Sequence, residues 1–156
     1  MVSTFLRIAN SMPQDRNPAD PYNLRRFVDA QNPVFEDVRS ELRRGHKETH
    51  WIWFIFPQIR GLGHSPMSEE FAIGSLDEAA AYLNHAVLGP RLRECARLVN
   101  SVDGRSIRQI FGFPDDLKFR SCMTLFARAT EDNQVFNDAL RKYFGGEPDQ
   151  RTLARL

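Results

Sequence analysis

The sequence lacks most of the features that announce a function. It contains two cysteines in 156 residues, Cys95 and Cys122. Neither belongs to a CxxC pair, which argues against a structural zinc site or a redox couple. Both fall in stretches patterned as amphipathic helix and read as reduced core residues, with a functional thiol as the alternative. The longest apolar run, Trp51 to Phe56, is far below the ~20 residues that cross a bilayer. The N-terminal stretch has no sustained apolar region and no small-residue cleavage pattern. No membrane partner and a cytoplasmic location are therefore expected. Charge of one sign is missing too: 21 basic and 20 acidic residues leave a formal net charge of +1. That balance gives no electrostatic footprint for nucleic acid.

What is present is the composition of an ordinary globular domain, with 42% hydrophobic and 26% charged residues and a length that suits one core. Residues 1–19 carry Ser, Asn, Pro and Gln without helical period and read as a flexible or loosely docked arm. Residues 20–156 read as a single mainly α domain of short helices joined by Gly/Pro turns, with little or no β structure. Asp20-Pro21 predicts an N-cap and first-turn proline for a helix towards Gln31, and Asn32-Pro33 repeats the signal. Val34, Phe35, Val38 and Leu42 then share a face until Gly45 ends that helix. Ser65 caps a short helix. Ser75 and Glu78 form a capping box for a helix that ends before Gly89. Pro90 starts the next. Pro114-Asp115-Asp116 opens another with acids at its positive end. The last long helix stops at Gly145-Gly146, and Thr152 to Leu156 dock as a final turn. Residues 51–56 remain open: their aromatic and β-branched side chains suit a buried strand, while their neighbours are helical.

Three groups of residues could carry chemistry. His46 and His50, four apart, would share a helix face and could grip a metal. No third ligand is near, so no metal is expected, and one histidine at the edge of an aromatic cluster is the alternative. Trp51, Trp53, Phe54 and Phe56 are core or a stacking platform for a flat ligand. They run directly into Gln58, Arg60, Gly61, Gly63 and Ser65, which combine amide, guanidinium, hydroxyl and free backbone N–H groups as pockets do. The two glycines are neither a dinucleotide fingerprint nor a P-loop. Finally Asp115, Asp116, Lys118, Arg120, Ser121 and Thr124 crowd one helix. They form either a ligand wall or an acid-capped, solvated face.

The string His50-Trp-Ile-Trp-Phe-Ile-Phe-Pro-Gln-Ile-Arg-Gly-Leu-Gly-His-Ser65 resembles the signature of the domain of unknown function 1810 family. Leu88-Gly-Pro-Arg-Leu92, Ile110-Phe-Gly, Asp115-Asp-Leu-Lys118, Ser121 to Phe126 and Tyr143-Phe-Gly-Gly match in the same order, so the resemblance spans about Leu24 to Leu156. Cys122 departs from the small hydroxyl residue expected there. The resemblance implies a mainly α-helical single domain, which moves residues 51–56 towards helix, and it implies no activity. Some members carry the protease-inhibitor name calpastatin, but nothing in this chain is like that disordered, repeated inhibitor. A more distant likeness, in layout and site composition, is to small helical N-glycosidases acting on ADP-ribose-like and riboflavin-pathway compounds; it is analogy.

Two functions follow as expectations. In the first, His50, Trp53 and Gln58 line the ring of a nucleotide-like or ADP-ribose-like molecule. The Arg60–Ser65 loop, Lys118, Arg120, Ser121 and Thr124 take its polar and anionic parts. Asp115 or Asp116 serves N-glycosidase-type hydrolysis, without a cofactor. In the second, an aromatic-rich groove binds a protein partner without chemistry. Residues 50–65 and 115–124 are predicted to be two walls of one pocket.

Overall fold

A computed structural model describes residues 17–156, so the expected arm lies almost wholly outside the described residues. Among the described residues ten helices follow one another: α1 (Arg25–Gln31), α2 (Phe35–Arg43), α3 (Ile52–Ile55), α4 (Pro66–Glu70), α5 (Leu76–Asn84), α6 (Leu88–Asn100), α7 (Ile107–Phe111), α8 (Asp115–Ala129), α9 (Gln134–Phe144) and α10 (Gln150–Leu153). Among the described residues there is no strand, only two isolated bridges, one of them parallel between Ile59 and Ile73.

The centre is α8. Phe119, Cys122, Met123, Leu125 and Phe126 are all fully buried, and Asp116, Ser121 and Thr124 nearly so. A helix covered on almost every side must be surrounded by others; α3, α5, α7, α9 and α10 all pack on it. Residues 51–56 form a single helical turn. The resemblance pointed the right way, and period alone could not decide, because Trp51, Ile52, Phe54, Ile55 and Phe56 are all buried. The rings of Trp51, Phe54 and Phe56 are core and not a platform, while Trp53 is only partly buried. Phe56 meets Phe119 edge-on at 5.0 Å between centroids, and Phe111 stacks on Phe119 at 4.9 Å.

Several local expectations are corrected. Asp20 does bond helix-start amides, accepting from Leu24 N at 2.8 Å and Arg25 N at 3.0 Å, but α1 begins only at Arg25. Ser75 accepts from Glu78 N, whereas the Glu78 carboxylate bonds Gly74 N and Arg26 instead of closing a box. The full capping box is Ser106–Gln109 on α7. Pro90 does not open α6; Leu88 and Gly89 are already helical. The amides of Val87 and Leu88 donate to Nδ1 of His85, an acceptor that propensity reasoning passes over. Gly89 allows this start, because any Cβ there would strike the Leu83 carbonyl oxygen. Asp149 caps α10 two residues earlier than expected.

Candidate functional site

The stretch after α3 is fixed at its base by backbone pairing. Ile73 N donates to Gln58 O at 2.9 Å and Arg60 N to Ile73 O at 2.8 Å. From there Gly61 to Gly63 lean towards the last turn of the chain. The Arg155 guanidinium covers Gly61, whose φ of +99° favours glycine and where a Cβ would have to push that flexible side chain aside. Arg151 Nη2 donates to Leu62 O at 3.3 Å.

Opposite this loop lies the start of α8, and between them is a cleft of about 260 Å³. Gln58, Leu62 and Gly63 line one side and Pro114, Leu117, Lys118 and Ser121 the other, with Asp149 and Arg151 closing an end. The two segments singled out in the sequence do share a cavity. The structure brings Gln58, Gly63, Lys118 and Ser121 into it and leaves other expected residues outside. Trp53 sits just behind, with Lys118 Nζ 5.4 Å from its ring centroid. His50 is exposed on the loop before α3, as is His46, so the helical spacing that suggested a shared metal does not apply. Arg60 lines a separate hollow beside Tyr22 and Glu78. Gly61 is covered by Arg155, and Ser65 caps α4 by accepting from Ser68 N. Arg120 donates to Glu147 O and lies over Phe144. Thr124 donates to Arg120 O and accepts from Asp149 N at 2.8 Å.

The carboxylates are engaged. Asp115 pairs with Lys47 at 2.9 Å and with Lys118 at 3.5 Å. Asp116 is buried under Arg108, 3.5 Å from its Nε. Asp149 Oδ2 accepts from Thr152 N and Oγ1 at 2.9 and 2.7 Å, and from Ser121 at 3.3 Å. The cations are less committed. Lys47 is itself well held, by Asp115 and by Thr49 O at 2.7 Å, but Lys118 has only the longer hold on that carboxylate, and Arg151 has no ion pair among the described residues. The cleft is therefore lined by two cations, Lys118 and Arg151, against one acid, Asp149, with Leu62, Pro114 and Leu117 as its apolar part.

Sequence reasoning missed Lys47, Asp149 and Arg151. The acid-rich start of α8 was a signal that some cation must meet it. Nothing local marked Asp149 and Arg151, although the Asp-x-x-Thr spacing of Asp149 and Thr152 is a capping pattern that would have found the α10 start. The thiols do not enter the site. Burial pushes the Cys95 thiol up to about 12 and the Cys122 thiol well above its ordinary value, so neither supplies a thiolate nucleophile.

Fold and cleft together define the described residues as an all-α domain with a small surface cleft, lined by Lys118 and Arg151, at the start of its central helix. Residues 21–156 match the family described as "Protein of unknown function (DUF1810)", and the chain belongs to that family. It is also similar to the solved structure of the conserved hypothetical protein Rv1873 from Mycobacterium tuberculosis, with 60% identity, a TM-score of 0.87, and coverage of 88% of this chain and 98% of that one. No curated protein matches the chain.

Proposed function

We propose that the cleft between the Gln58–Gly63 loop and α8 binds a small anionic molecule of nucleotide-like character. The observation that carries this is the convergence of Lys118 and Arg151, two incompletely paired cations, on a cavity also lined by apolar Leu62, Pro114 and Leu117. A charge-assisted hydrogen bond from such cations to a phosphate or carboxylate is stronger than a neutral one. At about 260 Å³ the cleft is smaller than the roughly 300–1,000 Å³ of drug-sized sites. It suits one end of a mononucleotide, while an ADP-ribose-like molecule would extend over the rim past Leu117. N-glycosidic hydrolysis needs a carboxylate free to activate water. Asp115, Asp116 and Asp149 would each have to leave partners to do so, so the favoured function ends at binding. Free, buried cysteines accord with a reducing compartment, and a cytoplasmic location belongs to the proposal.

The test is a thermal-shift screen with AMP, ADP-ribose and ribose 5-phosphate on the wild type, Lys118→Ala and Trp53→Ala. Stabilisation of the wild type that falls roughly ten- to a hundredfold in affinity in Lys118→Ala supports the proposal, that being the usual value of a charged hydrogen bond. Hits indifferent to Lys118, or no hits, move the second function ahead. That second function is a protein partner, favoured by Phe113 and Leu117, which stand 64% and 45% exposed, Leu117 lining the cleft and Phe113 directly preceding its Pro114. It no longer involves the aromatic rings of residues 51–56.

A further inference from the structure

Gln58 and Lys118 belong to two spaces at once. On their outer side is the cleft; on their inner side they close a void of about 10 Å³ bounded by Trp53, Ser68 and the Phe56 and Phe71 rings. The indole Nε1 of Trp53 is buried and has no hydrogen-bond partner among the described residues. Its neighbour Trp51 shows the usual arrangement, donating to Glu41 Oε1 at 2.9 Å. Buried donors in native proteins are nearly always satisfied, so an exception asks for an explanation. Lys118 is the movable part of the partition. Asp115 holds it at 3.5 Å while Lys47 already holds the same carboxylate at 2.9 Å. Its long stem can turn outward without leaving that carboxylate uncompensated.

We infer that Trp53 is a specificity-determining residue of this cleft, donating its indole N–H to an acceptor on a flat ring once an anion draws Lys118 outward. The inner void then joins the cleft. The ligand class is a planar heteroaromatic anion, with a ring nitrogen or carbonyl at one end and a carboxylate or phosphate at the other. The Lys118 cation and the Leu117 and Pro114 surface hold the outer part, and Trp53 selects the inner one. This rests on the binding function proposed above and adds to it the requirement for an acceptor.

Isonicotinate and benzoate separate the two claims, since they share shape and charge and differ in one ring nitrogen. Each is titrated into isotopically labelled protein, and the indole N–H resonance that disappears in Trp53→Phe is followed. Isonicotinate is expected to move that resonance and to bind about two- to tenfold more tightly than benzoate, the range of one neutral hydrogen bond. Trp53→Phe erases the preference, and Lys118→Ala weakens both acids. Equal binding of the two acids, an unmoved indole resonance, or a preference that survives in Trp53→Phe overturns the role of Trp53. If binding still depends on Lys118 in those cases, the cleft itself stands. If neither the acids nor the nucleotides bind, both fall together. Should Trp53→Phe fold poorly, the Trp53 indole resonance is assigned in the wild type by its through-space contacts, and a shift larger with isonicotinate than with benzoate, together with the affinity preference, decides.

Discussion

The corner around Glu41 and the cleft around Lys118 are both built from charged groups beside a tryptophan, yet their hydrogen-bond inventories are opposite. Glu41 is buried and accepts from Glu48 N at 2.8 Å, Thr49 N at 3.1 Å, Thr49 Oγ1 at 2.7 Å and Trp51 Nε1 at 2.9 Å. Every donor around it has its acceptor. At the cleft, Lys118 and Lys47 share one carboxylate, Arg151 meets only a carbonyl, and the Trp53 indole has no acceptor. Saturation is what a structural brace needs, because a buried charge is stable only when fully compensated. A surplus of donors is what an anion site needs before its ligand arrives.

This contrast breaks first at Glu41. Glu41→Ala leaves four donors without their acceptor and is expected to cost about 3 kcal/mol or more, roughly 6–12 °C in Tm for a domain this size. Calorimetry showing a loss below 1 kcal/mol would mean that the corner is not the brace its geometry describes.

The acid limb of stability sharpens the comparison next. Burial alone would push the Glu41 pKa up, but the donors of Glu48, Thr49 and Trp51 outweigh it and hold the group below its ordinary value of 4.5. A carboxylate whose folded pKa is depressed contributes stability that is present above the unfolded value and lost as pH falls through the folded one. Stability of the wild type should therefore fall below about pH 4.5 more steeply than that of Glu41→Gln, measured by urea unfolding from pH 6 to pH 3. Parallel curves for the two proteins would remove Glu41 as the source.

At the cleft, stability and function separate. Lys118→Ala removes the longer of two ion pairs to Asp115, at 3.5 Å, and leaves the 2.9 Å pair with Lys47 in place, so the carboxylate stays compensated and the loss is expected to be about 1 kcal/mol or less. Its unfolding midpoint should hardly move while ligand affinity drops. A large loss of stability would reassign Lys118 to the framework. The smallest effect is expected from Arg151→Ala, whose exposed guanidinium makes one 3.3 Å bond. A change of a few tenths of a kcal/mol is expected, with weaker binding of a phosphate-bearing ligand at low salt. Unaltered affinity would show that Lys118 works without it.

Those two residues also mark how far the sequence could be read. Helix class and most apolar faces were legible, because Val38, Leu42, Phe126 and Phe136 repeat at helical spacing and are fully buried. Ser65 and Ser75 were legible as caps, since their chemistry is local. The start of α6 was not: Pro90 is as good a signal two residues into a helix as at its first position, and the true cap is a histidine nitrogen. At the site, the wall supplied by Gln58, Gly63, Lys118 and Ser121 was legible as polar groups next to glycines. What filled the remaining wall was not, since Asp149 and Arg151 reach the cleft from the far end of the chain. Period and capping carry no information about such a meeting. Arg120 and Thr124 are engaged by backbone groups from the same far end, Arg120 donating to Glu147 O and Thr124 accepting from Asp149 N. Composition told which groups were present without telling which were already taken.

The Arg151–Leu62 bond joins residues 89 positions apart, and this gives the cleft a place in time. Helix pairs such as α5 with α6 and α8 with α9 are close in sequence and can assemble early, whereas a contact across so long a loop must wait for that loop to close. During synthesis the Gln58–Gly63 loop leaves the ribosome long before Asp149 and Arg151 exist to meet it. A cleft closed by such a contact is expected to form late, and under the proposed function binding would then report a chain that has folded to its end.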